Sequence, residues 1–112
     1  IAKIKEKQGL NDIYMKKFVF IYNVSGAEEH TKELMDLWMS WFNSIGDKML
    51  DSGGPLVGGK DVASKVVKDI TPDMLPASGY SIINAASMDD AVKIAAGCPG
   101  KAGLRVYEAI SM

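Results

Sequence analysis

One cysteine, Cys98, stands among 112 residues, so no disulfide can form within the chain. That usage fits a reducing compartment and sets the expectation of a cytoplasmic protein. Histidine is as scarce, His30 being the only one. No pair of His or Cys has metal-ligand spacing, so neither a metal nor a cofactor is expected. An excess of charge of either sign is also missing. The 13 basic and 14 acidic residues leave a net charge of −1, which argues against a broad electrostatic surface for nucleic acid or membrane. No apolar run reaches the roughly 18–20 residues of a membrane span. The Lys-rich N-terminus lacks the apolar core of a secretory signal.

What is present suits a single domain with one modest core: 47% apolar and 24% charged residues. The charge is uneven, since residues 1–17 hold five lysines against Glu6 and Asp12, a net of +3, and leave −4 for the remainder. "MKKFVFIY", from Met15, reads as the beginning of the domain because a strand follows at once. Residues 1–14 are read as an upstream or appended segment. It can form a short helix, with Ile1, Ile4 and Gln8 on one face and Gly9 at its C-cap.

Aromatic and β-branched residues in "KKFVFIYNV" predict a strand over 17–24 that is apolar on both faces. "SGAE" at 25–28 has the form of a capping box. It would open an amphipathic helix over 27–50 whose buried stripe is Leu34, Trp38, Trp41, Ile45 and Met49, widened by Met35 and Phe42, with Gly46 able to end it early. Alternation in "VASKVVKDI" predicts a strand over 62–70 with one wet face. After a linker with two prolines, "GYSIINAA" predicts a strand over 79–86. Ser87 then caps a helix with Asp89 and Asp90 in its first turn, apolar at Met88, Ala91, Val92 and Ala95, and stopped by Gly97 and Pro99. "LRVYEAI" closes the chain as a strand over 104–110. This order, β–α–β(β)–β–α–β, is the split βαβ pattern of a ferredoxin-like α+β sandwich. Two helices cover one face of such a sheet. The other face needs a cover, and the economical one is a second copy of the chain, sheet against sheet, as a homodimer.

"LDSGGPLVGGKD", residues 50–61, places four glycines in seven positions and a lysine after them. A phosphate-binding loop would need Ser or Thr after that lysine and a helix beyond it. Asp61 stands there instead, Pro55 removes an amide donor, and a strand follows. The stretch therefore reads as a turn from helix to sheet, with Gly53 and Gly54 allowing close backbone approach and Gly58 and Gly59 reversing the chain. Asp51 sits at its entrance.

Candidate site residues gather around this turn. Trp38 and Trp41 are either core or the aromatic wall of a ligand pocket, and one of the two indole N–H groups is expected to reach a polar edge. With Asp51, Gly54 and Tyr80 they form the candidate ligand-binding set. His30, in the first helical turn, and Asp51 are the only acid–base candidates. Cys98, at a helix C-terminus where a thiolate is disfavoured, reads as structural. Tyr80 and Tyr107 are candidates to face each other across adjacent strands, with Arg105 and Glu108 as polar strand residues, at either a pocket or a dimer interface.

"GYSIINAASMDDAVKIAAGCP" at 79–99 resembles the signature half of the YCII-related, DGPF-type family: Gly-Tyr, an apolar strand, a small polar cap with acids, an Ala-rich helix and a Cys-Pro stop. "MKKFVFIY" and "MLDSGGPLVGG" fall where that family has its opening strand and its Gly-Gly-Pro turn, so the resemblance covers 15–112. It implies a dimeric α/β barrel, usually bacterial and cytoplasmic, and in some members hydrolase-like chemistry on a His–Asp pair with the His in the first helix. The family's histidine would fall near Leu37 or Trp38, whereas His30 lies one to two turns earlier, so the dyad is not carried over. Three functions follow: a homodimer that binds a small molecule between helix and sheet, a cofactor-free enzyme of hydrolase, isomerase or monooxygenase type, or an accessory dimer without a ligand.

Overall fold

Alternate residues of β1 (Lys16–Asn23) set the two faces of the molecule. Phe18 and Phe20 are wholly buried and Tyr22 nearly so, while Val19 and Ile21 point the other way and are half-buried. The computed structural model describes residues 15–23, 31–74 and 76–110. Residues 1–14, the capping box at 25–28 and His30 lie outside the described residues.

On the core face, α1 (Lys32–Ile45) lays Trp41 and Ile45 against the sheet, with Trp38 and Phe42 beside them. The helix is shorter than the expected 27–50. Thr31 caps it, its Oγ1 accepting the Leu34 N–H at 3.1 Å, and Gly46 stops it with φ +58 and an N–H that donates to the Phe42 carbonyl. Met35, expected on the buried stripe, is 53% exposed.

After one 3₁₀ turn the chain enters β2 (Met49–Pro55), so the glycine-rich stretch begins as an edge strand rather than a turn. β2 pairs antiparallel with β5 (Ala77–Ala85), with irregularities on either side of Asp51. Between them the single predicted strand over 62–70 is a hairpin, β3 (Lys60–Ala63) and β4 (Val66–Asp69), forming its own two-stranded sheet. Ser64 and Lys65 turn it, with φ of +49 and +69. Positive φ at both central residues matches the right-handed twist of the flanking strands.

Ser87 caps α2 (Met88–Ala95) by accepting the Asp90 N–H at 3.2 Å, as expected. Its packing residues are Ala91, Ile94 and Ala95, while Met88 and Val92, expected to be apolar contacts, are exposed. β6 (Leu104–Ala109) then returns along β1 and contributes Leu104 and Val106 to the core.

The result is an α+β fold with a four-stranded sheet in the order β2-β5-β1-β6, every neighbouring pair antiparallel. Both helices pack on the Phe18–Phe20–Ile83 core of one sheet face. The sheet of one chain is open and closes no barrel. On its other face the register sets Ile82, Val19 and Tyr107 in one row and Tyr80, Ile21 and Arg105 in the next. Among the described residues no helix lies over this face, and Tyr107 is 56% exposed there. No described helix is long and apolar enough to cross a membrane.

Candidate functional site

The two tryptophans belong to a packed aromatic cluster. Trp41 is buried on Phe20, its ring stacked at 6.2 Å, and its indole N–H donates to the Ile94 carbonyl at 3.0 Å. That bond supplies the polar partner a buried indole requires and ties α1 to α2. Trp38 is half-buried and meets Tyr22 edge-on at 5.4 Å. Glycines in the loop after α2 let the indoles sit close. A Cβ on Gly97 would lie 3.1 Å from the Trp41 ring, and one on Gly100 would lie 3.0 Å from Trp38.

Beneath the aromatics runs a buried polar chain. The Ser81 hydroxyl donates to the Ser52 carbonyl at 2.9 Å, which uses its only proton. The Tyr22 hydroxyl, 2.8 Å from the Ser81 oxygen, must therefore be the donor of that pair. Burial pushes the Tyr22 hydroxyl up to about 12, against a smaller lowering by the Ser81 bond. A folded-state value above the unfolded one favours the native state below pH 10, and that stability is lost as the pH rises toward 12. The wild type is expected to lose stability across this window through Tyr22. Tyr22→Phe removes this component, so the wild-type urea midpoint should fall relative to the variant's as the pH climbs from 10 toward 12. A difference that stays constant with pH would contradict the assignment.

The candidate ligand-binding residues do not form one pocket. Trp38 and Trp41 lie on the helix side. Tyr80 lies on the far face of the sheet, because Ser81 beside it faces the core and successive strand residues alternate. Asp51 and Gly54 lie on β2, in register with Ile82 and Tyr80. The Asp51 carboxylate is exposed and accepts the Gly53 N–H at 2.8 Å, a local turn that holds the irregular strand. Tyr80 and Tyr107 share a face but are not on adjacent strands, since β1 runs between them. Cys98 packs half-buried against the core. Among the described residues no group of three or more His, Cys, Asp or Glu could hold a metal.

A concave site lies elsewhere. The chain leaves β2 at Pro55, runs through 56–59 into the hairpin, and returns from Ile70 to β5. The fork forms a half-open pocket of about 640 Å³ bordered by Leu56, Val57, Ile70, Pro76 and Ala77, with Gly58 and Gly59 between them. Leu56 is anchored by its N–H, which donates to the Ser78 carbonyl at 3.0 Å. Gly59 keeps one wall close, as a Cβ there would stand 3.0 Å from the Ile70 Cδ1. Among the described residues no titratable side chain lines the space, and the lining they supply suits an apolar group. Sequence reasoning missed it because its walls come from two segments separated by the hairpin. The apolar "PLV" beside the glycines was the available signal. Compared with protein-family models, curated proteins and solved structures, the chain matches none.

Proposed function

We propose that the protein is a homodimer of the ferredoxin-like, YCII-related kind that binds a small apolar molecule in the fork between sheet and hairpin. The carrying observation is the apolar pocket of about 640 Å³, a size ordinary for small-molecule sites. The strand order, with both helices on one face, supports the split βαβ topology. The open face carrying Val19, Ile21, Tyr80 and Ile82 supports a second copy as its cover. Binding is favoured over catalysis because the described lining is apolar and the Asp51 carboxylate is engaged by the Gly53 N–H.

A metabolite-library thermal-shift screen on the full chain tests this reading. A compound held at 100 times its Kd stabilises the folded state by about 2.7 kcal/mol. Ile70→Trp fills the pocket from its wall and is expected to abolish the shift while leaving the unliganded melt within a few degrees. A hit that survives Ile70→Trp would remove the pocket from the proposal. A screen without hits would leave the accessory dimer.

A further inference from the structure

The β3–β4 ribbon rises from the apolar fork, and strand parity decides what stands at the fork's rim. Lys60 pairs with Asp69, Asp61 with Lys68, Val62 with Val67 and Ala63 with Val66. Side chains alternate along a strand, so Lys60, Asp69, Val62 and Val67 share one face. Asp61, Lys68, Ala63 and Val66 share the other. One step before Lys60 and one after Asp69, the alternation brings Gly59 and Ile70 onto this second face. They are neighbours there, since a Cβ on Gly59 would stand 3.0 Å from the Ile70 Cδ1. Both border the pocket. Asp61 and Lys68 are therefore the next row beyond the apolar lining, two residues or about 6.6 Å out along the ribbon.

The two charged rows differ. Lys60 and Asp69, on the face away from the pocket, close as an ion pair. Asp61 and Lys68 set the same two charges across the same strands. Among the described residues, however, neither side chain has an ion-pair partner. Directly opposed residues start from Cβ atoms about 4.5–5.5 Å apart, so a carboxylate and an ammonium stand side by side with their bonding capacity unused. A ligand with a lone carboxylate would meet Lys68 but sit against Asp61, and a lone amine would meet Asp61 but sit against Lys68. A head group with both charges satisfies the whole row. An α-amino acid carries its ammonium and carboxylate on one carbon, and its side chain is then free to reach back into the fork.

The geometry points to the fork as a site for an apolar α-amino acid. Its side chain would lie among Leu56, Ile70 and Pro76, its ammonium on Asp61 and its carboxylate on Lys68. This rests on the apolar pocket proposed above and names the class of molecule that fills it.

Titration of the full chain with L-leucine and L-phenylalanine at millimolar concentration, followed by thermal shift and ligand-observed NMR, tests it. Both are expected to bind. Isoamylamine and isocaproate, which keep the leucine side chain and lose one charge each, are expected to bind more weakly. Lys68→Ala and Asp61→Ala, both at exposed positions, are each expected to weaken L-leucine about fivefold, the scale of one partly exposed charge contact. Exchanging the charges, with Asp61→Lys and Lys68→Asp together, is expected to restore binding. Amino-acid binding that ignores all of these changes overturns the head-group site. If neither amino acid binds while an apolar compound does and is lost in Ile70→Trp, the amino-acid class is overturned and the pocket stands. If neither kind of compound binds, both are overturned.

Discussion

Gly53→Ala is expected to lower the stability of the protein by about 3 kcal/mol or more, an unusually large effect for one added methyl group. Gly53 has φ +71, a conformation that L side chains rarely adopt. Its backbone also runs against Tyr80, and a Cβ would stand 1.7 Å from the Tyr80 carbonyl oxygen and 2.6 Å from its carbon. Those neighbours are backbone atoms, so no rotamer change relieves the overlap. Relief requires β2 to move off β5, which strips the pairing of Gly54 with Tyr80 and of Pro55 with Gly79. The adjacent position supplies the control. A Cβ on Gly54 meets nothing within 4 Å, so Gly54→Ala is expected to change stability by no more than about 1 kcal/mol. Urea unfolding of the two variants gives the comparison. Equal losses at the two positions would refute the close-approach argument.

Trp41→Ala is expected to be similarly damaging, at about 3–5 kcal/mol, because it empties the centre of the aromatic cluster. The indole stacks on Phe20 and meets the edges of Tyr22 and Trp38. Trp41→Phe separates packing from hydrogen bonding. It keeps an aromatic ring and loses the N–H donated to the Ile94 carbonyl, so it should destabilise by about 1–2 kcal/mol. Should the two substitutions prove equally damaging, the link between α1 and α2 through that N–H, rather than the packed ring, would be the dominant contribution.

The elements with unbroken periodicity were legible in the sequence. β1, β5 and β6 show alternating apolar faces, and α1 carries Trp38, Trp41 and Ile45 at helical spacing. The departures come from residues whose backbone conformation no pattern reports. Glycines at 53 and 54 look like a turn by composition, yet here one positive-φ glycine lets an irregular edge strand lie against β5. The hairpin was hidden because its turn rests on Ser64 and Lys65 instead of Asn-Gly, so the alternation of 62–70 ran on unbroken. The candidate site was legible in its parts and illegible as a whole. Trp38 and Tyr80 fall on opposite sheet faces because of strand parity at Ser81, and the pocket draws its walls from either side of a hairpin whose alternation reads as one strand.

The Tyr22–Ser81–Ser52 chain has a further consequence, for how uniquely β5 is aligned. Apolar alternation rejects a slip of one residue, which would turn every side chain to the wrong face, but it is blind to a slip of two. A two-residue slip would bring Ile83 or Gly79 to the place of Ser81, and neither carries a hydroxyl. The Tyr22 proton would then be buried without an acceptor, a penalty of about 1–3 kcal/mol that no competing alignment escapes. One serine inside an otherwise apolar row thus acts as an address on the strand, separating alignments that greasy contacts alone would leave nearly equal in energy.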